Sequence, residues 1–311
     1  MGAGPAPLAE LLKINDQNLS DVDGISDLLQ GSPILNALVA DTSSNGTQHK
    51  YLKQTAAATV GFREINNGLV HGHSEDTPVS VDLKFLDASF HVDSAYADEF
   101  KDGRDAWLAR EANRAIAEAF TVAEAQLVNG TSNLADGFTG LVDAATINAL
   151  ADPMVVNAGG ATALSSVYLI RSTPDLRNAV VITGNEGNIS VGDTYTQMMP
   201  GADEGHFNAY VTAIGSWLAL HVGSIYSLGR IANIDAGSNT LTDDLISQAI
   251  EAFPSAAPPT HLCMNRRSNG QLQRSRTATN PTGAAAPFPE SAFGIPIVLS
   301  DGITNAETAL A

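Results

Sequence analysis

The amino-acid sequence predicts an α+β fold, and three observations carry this prediction. An alternating pattern of apolar and polar residues near the start is typical of a β-hairpin, and a single long helical pattern follows it. The rest of the chain mixes short apolar strands with short helices. The chain has 311 residues, of which 44% are hydrophobic, so it can bury a sizeable core in one large domain or two small ones.

Residues 1–46 are predicted to form an N-terminal arm. Ser32 and Pro33 predict the start of a helix, with the serine as its cap and the proline at the first helical position. The apolar clusters of the arm are too small to form a core, so the arm must lie on another surface. These clusters comprise Leu11, Leu12 and Ile14, followed by Ile25, Leu28 and Leu29.

Residues 47–93 are predicted to form a long β-hairpin. Its first strand is placed at 55–65 and its second at 79–85, where apolar and polar residues alternate. A polar loop that contains glycine is placed between them, at 66–77.

A hairpin of this length raises the question of what covers its apolar side chains. A two-stranded ribbon is only marginally stable by itself in water, so a long one needs a body to lie against. In an oligomer that body can be the adjacent subunit. We therefore expect a neighbouring subunit to cover Val81, Leu83 and Phe85 at least partly.

Residues 94–128 are predicted to form one long helix, because apolar side chains recur there at helical spacing. Such a helix would be on the order of 50 Å long, which implies a spine on which other elements pack. Gly130 suits its end, whereas Gly103 weakens the pattern locally. We expect Trp107 and Phe120 to be buried on the face that meets a sheet.

Short strands and helices are predicted along the rest of the chain. The strands are placed at 166–171, 179–183, 209–214, 217–225, 261–264 and 294–299. The helices are placed at 243–253, with Thr242 as the cap, and at 266–276, which is rich in arginine.

The charge balance limits the partners. The net charge is -18, and phosphates repel so acidic a chain, so direct binding of nucleic acid is disfavoured. Two interpretations stay open: simple solubility, or an acidic wall that DNA slides past. Charged residues make up only 16%, which favours a surface that is partly covered by neighbouring subunits.

The cysteine content and the apolar runs bear on the compartment. Cys263 is the single cysteine, so no intrachain disulfide can form, and this fits a reducing compartment such as bacterial cytoplasm. The sequence starts without the basic segment and apolar run of a signal peptide. No segment approaches the ~20 apolar residues of a membrane span.

The best candidate for a metal site lies in the hairpin loop. His71, His73, Glu75 and Asp76 are two imidazoles and two carboxylates, a set that could bind zinc. Little in a loop fixes their geometry, so exposed residues at a subunit interface are the favoured interpretation. The sequence lacks a nucleophile elbow, a phosphate-binding loop and a dinucleotide fingerprint. It therefore predicts no catalytic residue, no cofactor and no metal.

One basic cluster stands out in the acidic chain. It could touch DNA or RNA, but no nucleic-acid-binding module accompanies it. Balance by acidic neighbours is the favoured interpretation. The cluster consists of Arg266, Arg267, Arg274 and Arg276.

Several stretches, taken in order, carry a resemblance that spans nearly the whole chain. They are Ala58–Asn67, Val81–Leu86 with His91–Asp93, Gln126–Gly130 with Asp136–Leu141, Ser165–Ile170, Gly229–Ile234, Met264–Arg266 and Phe293–Ile297. In this order they resemble the major capsid proteins of the Hong Kong 97-like phage fold. Each motif is degenerate, and their order is the stronger evidence.

The resemblance implies a domain division. It places an N-terminal arm at 1–46, an extended loop at 47–93, a spine helix with a peripheral-domain sheet at 94–235, an axial domain at 236–290, and a return to the peripheral domain at 291–311.

Two features depart from the family pattern. The best-known member cross-links subunits through a lysine in the extended loop and an asparagine in a neighbour. The loop at 66–77 has no lysine, so we expect no such cross-link here. The Phe293–Ile297 exit follows the strands that end at Ile234, whereas in the usual order it precedes the long sheet strands. This predicts a rearranged strand connectivity.

The resemblance implies a structural, non-enzymatic major capsid protein that self-assembles into pentamers and hexamers of an icosahedral phage head around the DNA genome. The alternatives are an encapsulin-like compartment shell, which particle diameter and content would distinguish, and an enzyme, which would need a convergent polar pocket. The candidate interface residues are Arg63, Glu64, His71, His73, Glu75 and Asp76.

The implied partners follow from this role. They are further copies of the chain, a portal protein, scaffolding and decoration proteins, and packaged double-stranded DNA by non-specific proximity, with no membrane. The implied location is the virion, with assembly in the cytoplasm of the bacterial host.

Overall fold

The computed structural model describes residues 6–8, 12–15, 28–56, 58–174, 178–201, 205–280 and 284–311. The predicted apolar positions Leu11 and Ile25 of the arm lie outside these residues. None of the described helices is both long enough and apolar enough to cross a membrane.

Helices and runs of consecutive strands follow one another along the chain, as expected for an α+β fold. The helices are α1 (Pro33–Ala37), α2 (Ser94–Asp98), α3 (Arg104–Asn129), α4 (Asp243–Glu251) and α5 (Arg266–Ala278). The strands are β1 (Ala6–Pro7), β2 (Lys13–Asn15), β3 (Val39–Thr42), β4 (Gln48–Ala56), β5 (Glu75–Asp82), β6 (Lys84–Asp87), β7 (Phe90–Asp93), β8 (Val155–Asn157), β9 (Ser165–Ile170), β10 (Ala179–Thr183), β11 (Asn188–Val191), β12 (Tyr195–Pro200), β13 (His206–Thr212), β14 (Ile214–Val222), β15 (Leu228–Ile234), β16 (His261–Met264), β17 (Ser291–Ala292) and β18 (Ile295–Leu299).

These strands form four sheets. A seven-stranded sheet runs in the order β1-β3-β10-β14-β11-β2, with β6 also paired to β14. A six-stranded sheet runs β17-β18-β16-β9-β15-β8, and a three-stranded sheet runs β12-β13-β7. The fourth is the two-stranded ribbon of β4 and β5. One hydrophobic core joins the first two sheets to the long helix α3.

The described part of the arm packs on its own chain. Its leucines Leu8, Leu12 and Leu29 are buried in the main core, and β1 and β3 join the seven-stranded sheet. Helix α1 begins at Pro33 with Ser32 at the N-cap position, as predicted, but the Ser32 side chain accepts no hydrogen bond from α1. The carboxylate of Glu124 on α3 replaces it, accepting hydrogen bonds from the first main-chain N–H groups of α1 at 2.8 and 3.2 Å.

The first strand of the hairpin lies earlier in the chain than predicted. It is β4, Gln48–Ala56, whereas described residues 58–65 make only one isolated bridge, between Thr59 and Gly72. The apolar side chains of that segment have no surface of their own subunit to pack on, so a ladder is not maintained there. The second strand, β5, begins at Glu75, which places part of the predicted loop in the ribbon.

Leu83, at the base of the hairpin, is covered by its own subunit, which corrects the expectation of a neighbour at this residue. Leu83 is buried in a small apolar cluster with Val180 and Ile182 of β10. Phe85, although half-exposed, packs edge-on against Trp217 with ring centroids 5.2 Å apart. The pairing of β6 with β14 brings these side chains together, and a sequence pattern does not reveal such a long-range pairing.

The predicted single helix is two helices. The chain turns between α2 and α3, where Gly103 adopts a φ of 94° that side-chain-bearing residues rarely adopt. The long helix α3 has 26 residues and is therefore about 39 Å long.

The six-stranded sheet crosses the boundary predicted at 235. Strand β16, from the predicted axial domain, pairs with β9, from the predicted peripheral domain, and also with β18. Ile295 and Ile297 of β18 therefore lie in one sheet with β9 and β15. Strands β10 and β16 have the predicted bounds, and Thr242 caps α4 as predicted.

Replacement of Trp107 by alanine is expected to destabilise the subunit by about 3–5 kcal/mol. Trp107 and Phe120 are both buried, as predicted, and the Trp107 ring lies 6.5 Å from Phe90 and 6.0 Å from Tyr96. Denaturant unfolding measures the change. Arg114→Ala, at an exposed position of the same helix, is the control and should change stability by less than about 0.5 kcal/mol. A loss below about 1 kcal/mol for Trp107→Ala would contradict the assigned packing face.

Candidate subunit-interface site

All six candidate interface residues are exposed along the hairpin. Glu75 and Asp76 lie in β5 opposite β4, and His71 and His73 flank Gly72, which bridges to Thr59. The other two candidates, Arg63 and Glu64, lie on the opposite side of the turn. The described residues contain no group of three or more histidine, cysteine or acidic side chains that could hold a metal ion.

The sequence analysis missed the apolar residues at the end of the hairpin. Val60, Phe62, Ile65 and Val70, here called the apolar tip, are each at least 86% exposed. Burial of a side chain of this kind contributes about 1.5–3 kcal/mol, which the isolated subunit does not gain. The sequence signal for this surface was a run of apolar residues beside a polar loop. The same run is also typical of a buried strand, so it did not identify an exposed surface. Apolar residues exposed together are typical of an interaction surface.

The base of the hairpin is fixed while its tip is free of contacts with the described core. The Tyr51 hydroxyl donates a hydrogen bond to the main-chain oxygen of Val222 at 3.1 Å. The Tyr51 ring also packs on His221, with centroids 3.8 Å apart, and His49 lies 5.3 Å from His221. Together with Leu83, these contacts hold the ribbon on β14 and direct the tip away from the core.

His49 makes this anchorage sensitive to pH. It is 3% exposed, and neither of its ring nitrogens has a hydrogen-bond partner among the described residues. Burial lowers the pKa of His49 from its ordinary value, and the charge of Asp41 opposes this only in part. The fold therefore favours the neutral imidazole.

Acidification is expected to destabilise the subunit through His49. Because its pKa is lower in the folded chain, the unfolded chain binds more protons, so stability falls as pH drops below about 6.5 and continues falling to the folded pKa. Denaturant unfolding at about pH 7.5 and about pH 5 measures this loss, which should be smaller in His49→Phe. His261, whose pKa burial also lowers, remains in both proteins, so an equal loss in both would contradict the role of His49.

The basic cluster is largely balanced by acidic neighbours, as predicted. Arg276 binds Asp243 through two hydrogen bonds of 2.6 and 2.8 Å, and Arg266 lies 3.1 Å from Asp301. Burial lowers the pKa of Arg267, and the negative charge of Asp235 opposes this by raising it.

An open cleft of about 440 Å³ lies between the end of α3 and the C-terminal residues. Its charged lining residues, Arg230 and Glu307, pair with each other at 2.9 Å. This ion pair joins β15 to the C-terminal segment of the chain.

Comparison with solved structures shows the fold. The bacteriophage epsilon15 structure aligns with a TM-score of 0.64 and 18% identity, over 99% of this chain and 93% of that chain. The bacteriophage JBD30 capsid aligns with a TM-score of 0.53 and 9% identity, over 91% of this chain and 95% of that chain. The predicted Hong Kong 97-like capsid fold is thereby confirmed. No curated protein sequence matches the chain.

The comparison of sequences with protein families gives a more specific result than the structural likeness. The profile of one family, described as major capsid protein GP7, matches residues 17–311. This match favours the phage capsid protein over the encapsulin-like alternative and assigns a structural role. The chain belongs to the major capsid protein GP7 family.

Proposed function

We propose that this chain is the repeated subunit of an icosahedral phage head, where pentamers and hexamers of it enclose the double-stranded DNA genome. The exposed apolar tip is the observation that carries the proposal, beyond family membership. In a monomer, the four apolar side chains at the end of the anchored ribbon stay exposed to water and gain no burial free energy. Exposed apolar patches of this kind mark interaction sites. A second copy of the chain would cover them.

The polar candidates would act around this contact. Arg63, Glu64, His71, His73, Glu75 and Asp76 would pair with side chains of the neighbour. Exposed ion pairs contribute only about 0–1 kcal/mol each, so apolar burial at the tip would supply most of the attraction. The polar pairs would select the orientation of the neighbour.

We propose roles in the shell for the predicted domains, with one revision to the axial part. The arm, the extended loop at 47–93 and the spine helix α3 would make contacts between subunits. The axial part at 236–290 would close pentamers and hexamers, although its strand β16 shares a sheet with β9 and β15.

The other partners follow from the role in the head. We expect a portal protein at one vertex, scaffolding and decoration proteins, and DNA that lies near the inner wall without specific binding. The net charge of -18 supports this last point, because an acidic wall repels the phosphates. The chain would assemble in the host cytoplasm and reside in the virion.

Negative-stain electron microscopy of the purified protein, combined with native mass measurement, tests the proposal. The expected result is closed, uniform shells of many copies. A monodisperse monomer or dimer at physiological salt would contradict it. Nucleic acid inside particles made in infected cells separates a phage head from a compartment that holds protein cargo.

A further inference from the structure

The sequence contains four asparagines that are each followed by glycine: Asn45, Asn67, Asn129 and Asn269. In such a pair the main-chain nitrogen of the glycine can attack the side-chain carbonyl carbon of the asparagine. A new C–N bond closes a succinimide ring, the C–N bond of the amide breaks, and ammonia leaves. Water then opens the ring to aspartate or isoaspartate, so no oxidant or other co-reactant is needed.

Two of the four asparagines are held away from this reaction. The Asn129 amide donates hydrogen bonds to the main-chain oxygens of Ala125 and Gly302 at 3.0 and 2.9 Å. Asn269 is fully buried within α5, and its amide donates to the main-chain oxygen of Pro289 at 3.2 Å. Because a helical main-chain N–H is bonded and points away from the side chain of the preceding residue, neither can close the ring readily.

Asn45 is exposed but lies in a closed turn. Its main-chain N–H and carbonyl both bond to Gln48, each at 3.0 Å. The main-chain oxygen of Gly46 also accepts a 2.6 Å hydrogen bond from the Ser43 hydroxyl. These bonds restrict the rotation that would bring the nitrogen of Gly46 to the side chain of Asn45.

Asn67 and Gly68 lie in a more open segment, where the main-chain N–H of Asn67 donates a hydrogen bond to the main-chain oxygen of Glu64 at 3.1 Å. Both are exposed, and both lie outside helices and strands. A Cβ added at Gly68 would meet nothing within 4 Å, so the space around the attacking nitrogen is open. The missing Cβ also leaves the main chain free to rotate into the attacking conformation.

Arg63 adds a chemical reason for reaction at this position. Its Nη1 donates a hydrogen bond to the main-chain oxygen of Asn67 at 3.3 Å. This oxygen belongs to the same peptide group as the nitrogen of Gly68, so negative charge that forms when this nitrogen loses its proton spreads onto it. A guanidinium at that oxygen stabilises the charge and promotes the loss of the proton.

We propose that Asn67 is a self-modification site, which reacts with Gly68 to form a succinimide and then aspartate or isoaspartate, with Arg63 as a positioning residue. The product places a carboxylate between Ile65 and Val70 of the apolar tip. Isoaspartate also adds one carbon to the main chain there. If the tip makes the subunit contact proposed above, unassembled subunits would lose assembly competence as they age.

Mass mapping of the freshly purified full-length chain, incubated at mildly alkaline pH, tests the site. Asn67 should convert faster than the other three asparagines. Gly68→Ala should slow its conversion roughly tenfold, because the added methyl group restricts the main chain. Arg63→Gln should slow it several-fold, and Arg63→Lys, which retains the positive charge, should slow it less. Circular dichroism confirms that each variant is folded.

The site is overturned if Asn45, Asn129 or Asn269 converts as fast as Asn67, or if Gly68→Ala has no effect on the rate. A separate arm addresses the consequence, which rests on the proposed function. Electron microscopy compares shells formed from fresh protein, from aged protein and from aged Gly68→Ala protein. Conversion of Asn67 without any loss of shells would support the modification site and count against the role of the tip in assembly.

Discussion

Replacement of both Phe62 and Ile65 by aspartate is expected to abolish closed shells and to leave the subunit folded. Both side chains are at least 92% exposed in the subunit, so the change removes no contact of the core. In a shell, each is expected to lose the burial free energy of about 1.5–3 kcal/mol, and the aspartates would add the cost of covering a charge. Each copy of the contact in the shell would be weakened equally.

Circular dichroism of the subunit and electron microscopy after assembly measure the two halves of this prediction. Phe62→Leu combined with Ile65→Val is the matched control, because it keeps the tip apolar and should still form shells. Normal shells from the aspartate variant would show that the tip is not an interface. Loss of fold in that variant would show instead that the tip belongs to the core.

Arg230→Met is expected to destabilise the subunit by about 3–5 kcal/mol. The guanidinium is buried on β15, where it donates to the carboxylate of Glu307 at 2.9 Å and to the hydroxyl of Ser166 at 2.9 Å. Ser166 in turn donates to the same carboxylate at 2.5 Å, and the guanidinium lies over the Tyr168 ring, 5.6 Å from its centroid. Removal of the arginine would leave a carboxylate that is 8% exposed without its counter-charge.

The double variant Arg230→Met with Glu307→Met tests whether the unpaired carboxylate of Glu307 causes the loss of stability. Because it removes both buried charges, it should be more stable than Arg230→Met alone, which a simple loss of packing would not produce. Denaturant unfolding of the three proteins measures the difference. A cost below about 1 kcal/mol for the single variant would show that water reaches the pair.

The sequence alone determined the elements whose signals are local. Strands β10 and β16 have the predicted bounds, and Thr242 caps α4, because a run of apolar residues or a capping side chain acts within a few neighbouring residues. The order of degenerate motifs also led to the correct family, since the order of motifs is itself a property of the sequence.

The tertiary structure alone decided which surfaces meet. The pattern at 79–85 predicted apolar positions correctly but not their cover, because Leu83 is buried by β10, nearly a hundred residues later in the chain. The first strand was predicted at 55–65, although no described part of the subunit covers Val60, Phe62 or Ile65. Apolar periodicity in a sequence indicates which side chains are stabilised by burial. Whether its own sheet or another copy supplies that cover depends on contacts between distant segments, which only the folded chain specifies.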